Sequence, residues 1–259
     1  MQRIIYYYQT FNGLEKIIAN PYCTHIHISS IHFGIDHNKI PYIHLNDLHP
    51  NDATFNKMWN DVKILSNMGI KIVLMIGGAG GAFVKLFENF EVYYALLKQI
   101  LLHYPFITGI DLNVEESVGL DPVINLISQI KHDFPKHSLS MAPIQNALMT
   151  NNRGLGGFVY KELLETPQGK LIDYLNGQFY INYSFEAFES CIKNGFDSHK
   201  IVMGMISHQY TCKSANKIKV TLQKIYQKYP QFGGVFIWEQ FDSYSVNSTW
   251  DDDMKNILN

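Results

Sequence analysis

Eight short runs of β-branched and aromatic residues, separated by longer segments with helical spacing, constrain the fold of this chain more than any other feature. Such runs favour strands, whereas apolar residues that recur every three or four positions favour amphipathic helices. The alternation continues from one end of the chain to the other, which predicts an α/β protein. The predicted strands span residues 3–8, 24–33, 70–76, 107–113, 137–141, 174–180, 200–206 and 233–238. The predicted helices span residues 13–19, 52–68, 90–103, 121–133, 158–164, 185–194, 214–229 and 251–258.

The number of these units favours a closed barrel. Eight βα units in 259 residues match the usual size of a (β/α)8 TIM barrel, whereas a doubly wound sheet usually needs fewer units. No Pro/Ser-rich linker, block of like charge or low-complexity segment interrupts the series. We therefore expect one domain over residues 1–259, with residues 34–50 as an elaborated loop that carries a small strand at 42–45.

The charge of the chain excludes two classes of partner. Lys and Arg number 21 and Asp and Glu number 23, so the net charge is -2. A chain without a basic excess has no electrostatic footprint for a phosphate backbone or an acidic membrane surface. We expect neither nucleic acid nor membrane as a partner, and we expect a monomer.

The start of the chain and its cysteines indicate the compartment. The first apolar run is only about five residues long, too short for a signal peptide or a spanning helix. Cys23, Cys191 and Cys212 are too few and too scattered for a disulfide framework. We expect free thiols and a cytoplasmic protein.

The predicted strand 107–113 and the residues after it carry the strongest signal for chemistry. Asp111, Asn113 and Glu115 alternate with apolar residues, and a period of two places all three on one face. In a barrel that face points inward, and the C-terminal strand ends form the active-site mouth. Inward carboxylates are costly to bury unless they are paired. The pattern therefore indicates either a catalytic site or a salt-bridged strand end.

Two other patterns do not support a cofactor. Residues 77–81 are rich in glycine, but Phe83 occupies the last glycine position of a G-x-G-x-x-G motif, and no G-K-[ST] follows. The chain has 11 histidines without the spacing of a metal-binding motif. We expect no metal and no cofactor, and we expect His25 or His27 to be a hydrogen-bonded residue of the barrel core.

The segment 108–116 resembles the D-G-x-D-x-D-x-E signature of glycoside hydrolase family 18, which contains chitinases and endo-β-N-acetylglucosaminidases. Four further segments resemble motifs of that family in the same order along the chain. They are K-I-V-L-M-I-G-G at 71–78, S-M-A-P at 140–143, Q-F-Y-I-N at 178–182 and G-G-V-F-I-W at 233–238. The run 24–32 and the segments 45–47 and 114–120 are most similar to a compact bacterial and fungal chitinase-like branch of the family.

The resemblance implies substrate-assisted hydrolysis of β-1,4 linkages next to N-acetylglucosamine, in chitin oligomers or in the core of N-glycans. It makes Glu115 the general acid and base, and Asp111 the support of residue 113 through an inner hydrogen bond. It also makes Tyr180 a partner of the sugar's acetamido group. The substrate-binding residues that it implies are Trp238 as the floor, Tyr7 at the base, Met141 and Gln178 as walls, Asn182, and Gly78 where backbone and sugar approach closely.

Three positions depart from the family pattern. Thr108 replaces the first Asp of the signature. Met75 replaces a Ser, and an apolar residue at this position is easily packed in a barrel core. Asn113 replaces the Asp that accepts the acetamido N–H and stabilises the developing positive charge. An amide oxygen accepts the same hydrogen bond but supplies no negative charge. The resemblance therefore implies a glycoside hydrolase of reduced activity or, alternatively, a catalytically weak or inactive chitin- or N-acetylglucosamine-binding lectin on the same barrel.

Overall fold

A computed structural model describes residues 2–240 and 250–258 of the chain. All eight predicted barrel strands are confirmed, and their bounds differ from the predicted ones by at most two residues. The small strand predicted in the insert is also present. The strands are β1 (Arg3–Tyr8), β2 (His25–Ile35), β3 (Pro41–Leu45), β4 (Lys71–Gly77), β5 (Ile107–Asn113), β6 (Ser138–Met141), β7 (Tyr174–Gln178), β8 (Ile201–Ile206) and β9 (Gly234–Trp238).

Eight of these strands close into a parallel barrel. Going round the barrel, the order is β1, β2, β4, β5, β6, β7, β8 and β9, and β9 pairs with β1. This is the predicted (β/α)8 TIM barrel. The remaining strand, β3, pairs antiparallel with the second half of β2, so that His32 lies opposite His44. The β2–β3 hairpin therefore stands on the side of the barrel where the strands end.

Helices follow the strands and cover the outside of the barrel. Every predicted helix is present, and α3 and α6 are additional. They have seven and five residues. The helices are α1 (Leu14–Ala19), α2 (Asn56–Asn67), α3 (Ala82–Glu88), α4 (Phe90–His103), α5 (Leu120–Asp133), α6 (Gln145–Met149), α7 (Tyr160–Glu165), α8 (Phe185–Lys193), α9 (Ala215–Lys228) and α10 (Trp250–Leu258).

The strands divide the buried residues between two layers, because successive side chains point to opposite faces. On β5, Ile110 and Leu112 belong to the large apolar core that includes the helices, while Asp111 is fully buried on the alternate face. A smaller apolar cluster lies inside the barrel. Its members are Ile5, Tyr7, Met75, Tyr174, Val202 and Phe236, with Tyr180 and Trp238 packed against it.

Two further observations concern the described residues. Cys23 and Cys191 are buried, Cys212 is exposed, and all three are free thiols, as expected. Within residues 2–240 and 250–258, no helix has the length and apolar character that a membrane crossing requires.

Gly204 makes room for the inner cluster. It lies opposite Phe236 on the neighbouring strand, and a Cβ atom at this position would lie 1.8 Å from Cζ of the Phe236 ring. We expect Gly204→Ala to lower the free energy of unfolding by about 1–3 kcal/mol, because overpacking a tight core displaces side chains or backbone. Urea unfolding measures this change. The double variant Gly204→Ala/Phe236→Leu is the control, because the smaller side chain makes room for the added methyl group. The expectation is wrong if the double variant loses as much free energy of unfolding as the two single variants lose together.

Candidate active site

A cavity of about 1010 Å³ opens at the C-terminal ends of the barrel strands, where the active sites of such barrels lie. Six of the ten residues predicted for the site line this cavity. They lie at or just after the ends of four strands, β4, β5, β7 and β9, which are distant in sequence and meet in the barrel. These residues are Gly78, Asn113, Glu115, Gln178, Tyr180 and Trp238.

The Glu115 carboxylate is held by two side-chain amides. Its Oε1 atom accepts hydrogen bonds from Asn113 Nδ2 at 3.1 Å and from Gln178 Nε2 at 3.3 Å. Gln178 Nε2 is in turn within 3.2 Å of Asn113 Oδ1 and 2.9 Å of the Ala142 carbonyl oxygen. No donor of the described residues contacts Glu115 Oε2. That oxygen is therefore the one that can carry a transferable proton.

Asp111 lies one layer deeper in the barrel and is fully buried. Its Oδ2 atom accepts from the Tyr7 hydroxyl at 2.7 Å and lies 3.4 Å from His27 Nδ1. Its Oδ1 atom accepts from Ser140 Oγ at 2.6 Å and Asn176 Nδ2 at 3.1 Å. Burial alone would raise the Asp111 pKa, but the hydrogen bonds and the charge of His27 hold it below its ordinary value. A charged carboxylate is thus kept inside the barrel.

The expected hydrogen bond from Asp111 to residue 113 is not present. Both oxygens of Asp111 are used by other side chains, and the Asn113 amide is directed to Glu115 and Gln178 instead. Asp111 supports the site only indirectly, by pairing with the residues beneath it. This part of the sequence-based interpretation is wrong, because strand alternation fixes which face a residue occupies but not which neighbour it contacts.

His25 and His27, two of the three histidines of β2, lie on the inward face of the strand. His27 is fully buried, and its Nε2 atom lies 3.1 Å from the Tyr174 hydroxyl. His25 contacts Thr24 Oγ1 through Nδ1 at 2.8 Å. Burial, together with the nearby charges of His27, Arg3 and Lys71, lowers the His25 pKa to about 3. His25 is thus neutral, and its side chain is half-buried.

Aromatic residues form the floor and one side of the cavity. The Trp238 ring lies over Tyr7 with 5.2 Å between ring centroids, and Tyr180 meets Phe236 edge to face at 6.3 Å. Burial and the nearby carboxylates of Glu115 and Asp111 raise the pKa of Tyr180 well above its ordinary value. Its hydroxyl therefore remains protonated and can donate a hydrogen bond to a ligand.

Four of the predicted residues do not line the cavity. Asp111 and Tyr7 lie directly beneath it and are hydrogen-bonded to each other. Met141 is fully buried in the core that includes the helices, because it alternates with the inward-facing Ser140, so the prediction of Met141 as a wall is wrong. Asn182 is exposed, and its backbone N–H and C=O pair with the Gln145 side chain.

Gly78 and Met75 lie together next to Asn113, and close packing accounts for both residues. Gly78 has φ 86°, a conformation that favours glycine, and its N–H donates to the Asn113 carbonyl oxygen at 2.9 Å. A Cβ atom at Gly78 would lie 3.2 Å from Met75 Cε. Met75 is buried in the inner cluster, and Ser29 Oγ donates to its sulfur at 3.2 Å. The expectation of an apolar residue packed at position 75 agrees with the structure.

Two glutamates that sequence analysis did not assign to the site hold its loops in place. Glu116 accepts hydrogen bonds from the backbone N–H groups of Gly81 at 2.7 Å and Phe83 at 3.3 Å. Glu239 Oε2 accepts from the backbone N–H groups of Gln9 at 2.8 Å and Thr10 at 3.2 Å. Each glutamate directly follows a predicted site residue, Glu115 or Trp238. That adjacency is the only signal in the sequence, because the loops they bind are distant along the chain.

The β2–β3 hairpin provides the opposite wall of the cavity, which the sequence did not predict. The wall consists of His32, His44, Asn46, Asp47 and Leu48. Phe11 and Phe55 also line the cavity. The sequence showed an elaborated loop here, but only the fold turns it over the strand ends.

Comparison with known proteins gives matches among solved structures alone. No family model and no curated protein matches the chain. A fungal endo-β-N-acetylglucosaminidase from glycosyl hydrolase family 18 is 27% identical with a TM-score of 0.87, over 100% of this chain and 98% of that one. A chitinase of Aspergillus fumigatus is 28% identical with a TM-score of 0.83, over 93% of this chain and 92% of that one.

The resemblance to glycoside hydrolase family 18 is confirmed. The family 18 fold supports a glycoside hydrolase function for this chain. The same fold also occurs in a xylanase-α-amylase inhibitor protein solved with trehalose. That protein is 16% identical with a TM-score of 0.67, over 98% of each chain, and this likeness concerns the fold alone.

Metal ligation has no support in the described residues. Within residues 2–240 and 250–258, no three His, Cys, Asp or Glu side chains are grouped so that they could hold an ion.

Substitution of Glu116 tests whether its hydrogen bonds to the loop after β4 stabilise the fold. We expect Glu116→Ala to lower the free energy of unfolding by about 0.5–2 kcal/mol, as for the loss of a helix cap, because two N–H groups at the start of α3 lose their acceptor. Glu116→Gln keeps one acceptor oxygen and should lower the free energy of unfolding by less. Chemical unfolding of the three proteins measures the order. Equal stability of the Ala variant and the unsubstituted protein would show that the two hydrogen bonds do not stabilise the fold.

Proposed function

We propose that this protein is a retaining glycoside hydrolase that cleaves β-1,4 linkages next to N-acetylglucosamine, in chitin oligomers or the core of N-glycans. The substrate's own 2-acetamido group acts as the nucleophile in this scheme. The observation that carries the proposal is the Glu115 carboxylate at the cavity, with Oε1 held by two amides and Oε2 left for a proton.

In the first step, protonated Glu115 gives its proton to the glycosidic oxygen. The bond between that oxygen and C1 breaks, and the leaving sugar departs as an alcohol. The acetamido carbonyl oxygen then bonds to C1 from the opposite face and forms an oxazolinium ring. General acid catalysis by a positioned carboxyl contributes about 10²- to 10⁴-fold.

Three side chains hold the reacting sugar in this scheme. Asn113 Oδ1 accepts the acetamido N–H, and the Tyr180 hydroxyl donates to the acetamido oxygen. Trp238 supplies an apolar floor beneath the ring. All three line the same cavity as Glu115. Their positions around one sugar leave the acetamido oxygen close to C1, which is the orientation that the first step requires.

In the second step, Glu115 is a carboxylate and takes a proton from water. The hydroxide equivalent attacks C1 on the face that the leaving group vacated, and the oxazolinium ring opens. Two inversions give a product with the original anomeric configuration. Glu115 ends the cycle protonated and is ready for another turnover.

Asn113 weakens the stabilisation of the oxazolinium ion. A charged acceptor is worth about 1–2 kcal/mol more than a neutral one, which corresponds to about 5- to 30-fold in rate. Loss of electrostatic stabilisation in the transition state raises the penalty to the order of a hundredfold. Asp111 remains as a buried negative charge one layer below. Slow hydrolysis is consistent with these magnitudes.

The second candidate function is a catalytically weak or inactive lectin that binds chitin or N-acetylglucosamine. Asn113 favours it, since it replaces the charged residue on which the chemistry of the family depends. Glu115 counts against it, because a site that only binds sugar has no need of an acid with a free oxygen in the cavity.

The anomeric configuration of the product tests the mechanism. We expect NMR of freshly cleaved N-acetylglucosamine oligomers to show the retained anomer first, and we expect a thiazoline mimic of the oxazolinium to inhibit. Glu115→Gln should lose about 10²- to 10⁴-fold in kcat, since it cannot supply a proton. Glu165→Gln, with the same change of charge at the exposed end of α7, is the control. An inverted first product contradicts the mechanism.

Asn113→Asp separates the two candidate functions. We expect it to raise kcat by about 10- to 100-fold, because it restores a negative charge beside the developing cation. Release of reducing ends from N-acetylglucosamine oligomers measures the rate, and binding is measured in parallel. If neither form turns over while both bind the oligomers, the lectin is the correct function.

A further inference from the structure

The hairpin wall, defined above as His32, His44, Asn46, Asp47 and Leu48, lies across the barrel from Tyr180. In the order of the barrel strands, β2 and β7 are four positions apart in either direction. Glu115 follows β5, between them. The cavity of about 1010 Å³ is at the upper end of the range for small-molecule pockets. A sugar chain that occupies the Tyr180 side therefore reaches the hairpin wall with a different unit.

The hydrogen bonds of the two histidines determine what this wall offers a ligand. His44 Nδ1 donates to the Asn46 carbonyl oxygen, so Nε2 of the neutral ring is an acceptor. His32 Nε2 donates to the Ala79 carbonyl oxygen at 3.1 Å, and its Nδ1 lies 3.4 Å from Ser30 Oγ. The His32 ring thus has both nitrogens engaged, and His44 presents one acceptor.

Asp47 adds a negative charge to the same wall. It is exposed at the cavity, and no donor of the described residues contacts its carboxylate. Among the described residues that line the cavity, Asp47 and Glu115 are the two carboxylates, and none is a Lys or an Arg. The hairpin wall therefore favours a ligand group that carries hydrogen-bond donors and a positive charge, and it disfavours an anionic sugar.

We propose that the hairpin wall binds a sugar unit with a free 2-amino group, and that partially de-N-acetylated chitin is the preferred substrate class. A protonated amine supplies three donors for Asp47 and His44 Nε2, whereas an acetamido group supplies one and no charge. The reacting sugar on the Tyr180 side keeps its acetamido group, which the proposed mechanism needs. This inference rests on the proposed function but concerns a different sugar unit.

The test measures binding and does not depend on turnover. Three tetramers are titrated by calorimetry into the Glu115→Gln protein at about pH 7, where an amine of this kind is largely protonated. One is fully N-acetylated, and the other two carry a single glucosamine at one end or the other. We expect one of the two to bind about 2- to 5-fold more tightly than the acetylated tetramer, as for an exposed ion pair. The preference should fall with added salt.

Asp47→Asn is the decisive variant. We expect it to remove the preference for glucosamine and to leave the affinity for the fully acetylated tetramer unchanged. Glu165→Gln changes the net charge equally, far from the cavity, and should keep the preference. The inference is overturned if both glucosamine tetramers bind no better than the acetylated one, or if the preference survives Asp47→Asn. Because these are affinities, they decide the inference even if the unsubstituted protein hydrolyses nothing.

Discussion

The buried carboxylate of Asp111 is the interaction on which the rest of this site depends. A charge inside a barrel is costly unless polar partners surround it, and here the partners come from four other strands. Tyr7 lies on β1, His27 on β2, Ser140 on β6 and Asn176 on β7. This single side chain thus links five of the eight barrel strands. Removing the carboxylate would leave several buried polar groups without a partner.

The position of Asp111 on β5 also determines where Asn113 and Glu115 lie above it. Because β5 alternates, Asn113 stands one layer above Asp111, at the level where the cavity opens. Glu115 follows after the end of the strand and is held by Asn113 and Gln178. The loops around it are fixed by glutamates at two points, Glu116 for the loop after β4 and Glu239 for the loop after β1. Glu115, Asn113 and the loops around the cavity are thus held by hydrogen bonds to elements of the barrel.

Much of this arrangement follows from local patterns. The strands and the longer helices were predictable because a period of two or of 3.6 is a property of neighbouring residues. Asp111, Asn113 and Glu115 were identifiable for the same reason, together with their resemblance to a family motif. Met141 shows the limit of such reasoning, since the motif marked the residue but its position beside the inward Ser140 turns it into the outer core.

The sequence by itself determined the barrel and the positions of Asp111, Asn113 and Glu115 on and after one strand, because these depend on spacing along that strand and on the number of repeated units. The tertiary structure alone decided which side chains surround Asp111, which oxygen of Glu115 is free, and that the insert after β2 becomes a wall of the cavity. The physical reason is that these contacts join residues from different strands. A hydrogen bond between strands depends on register and closure, which no local pattern contains.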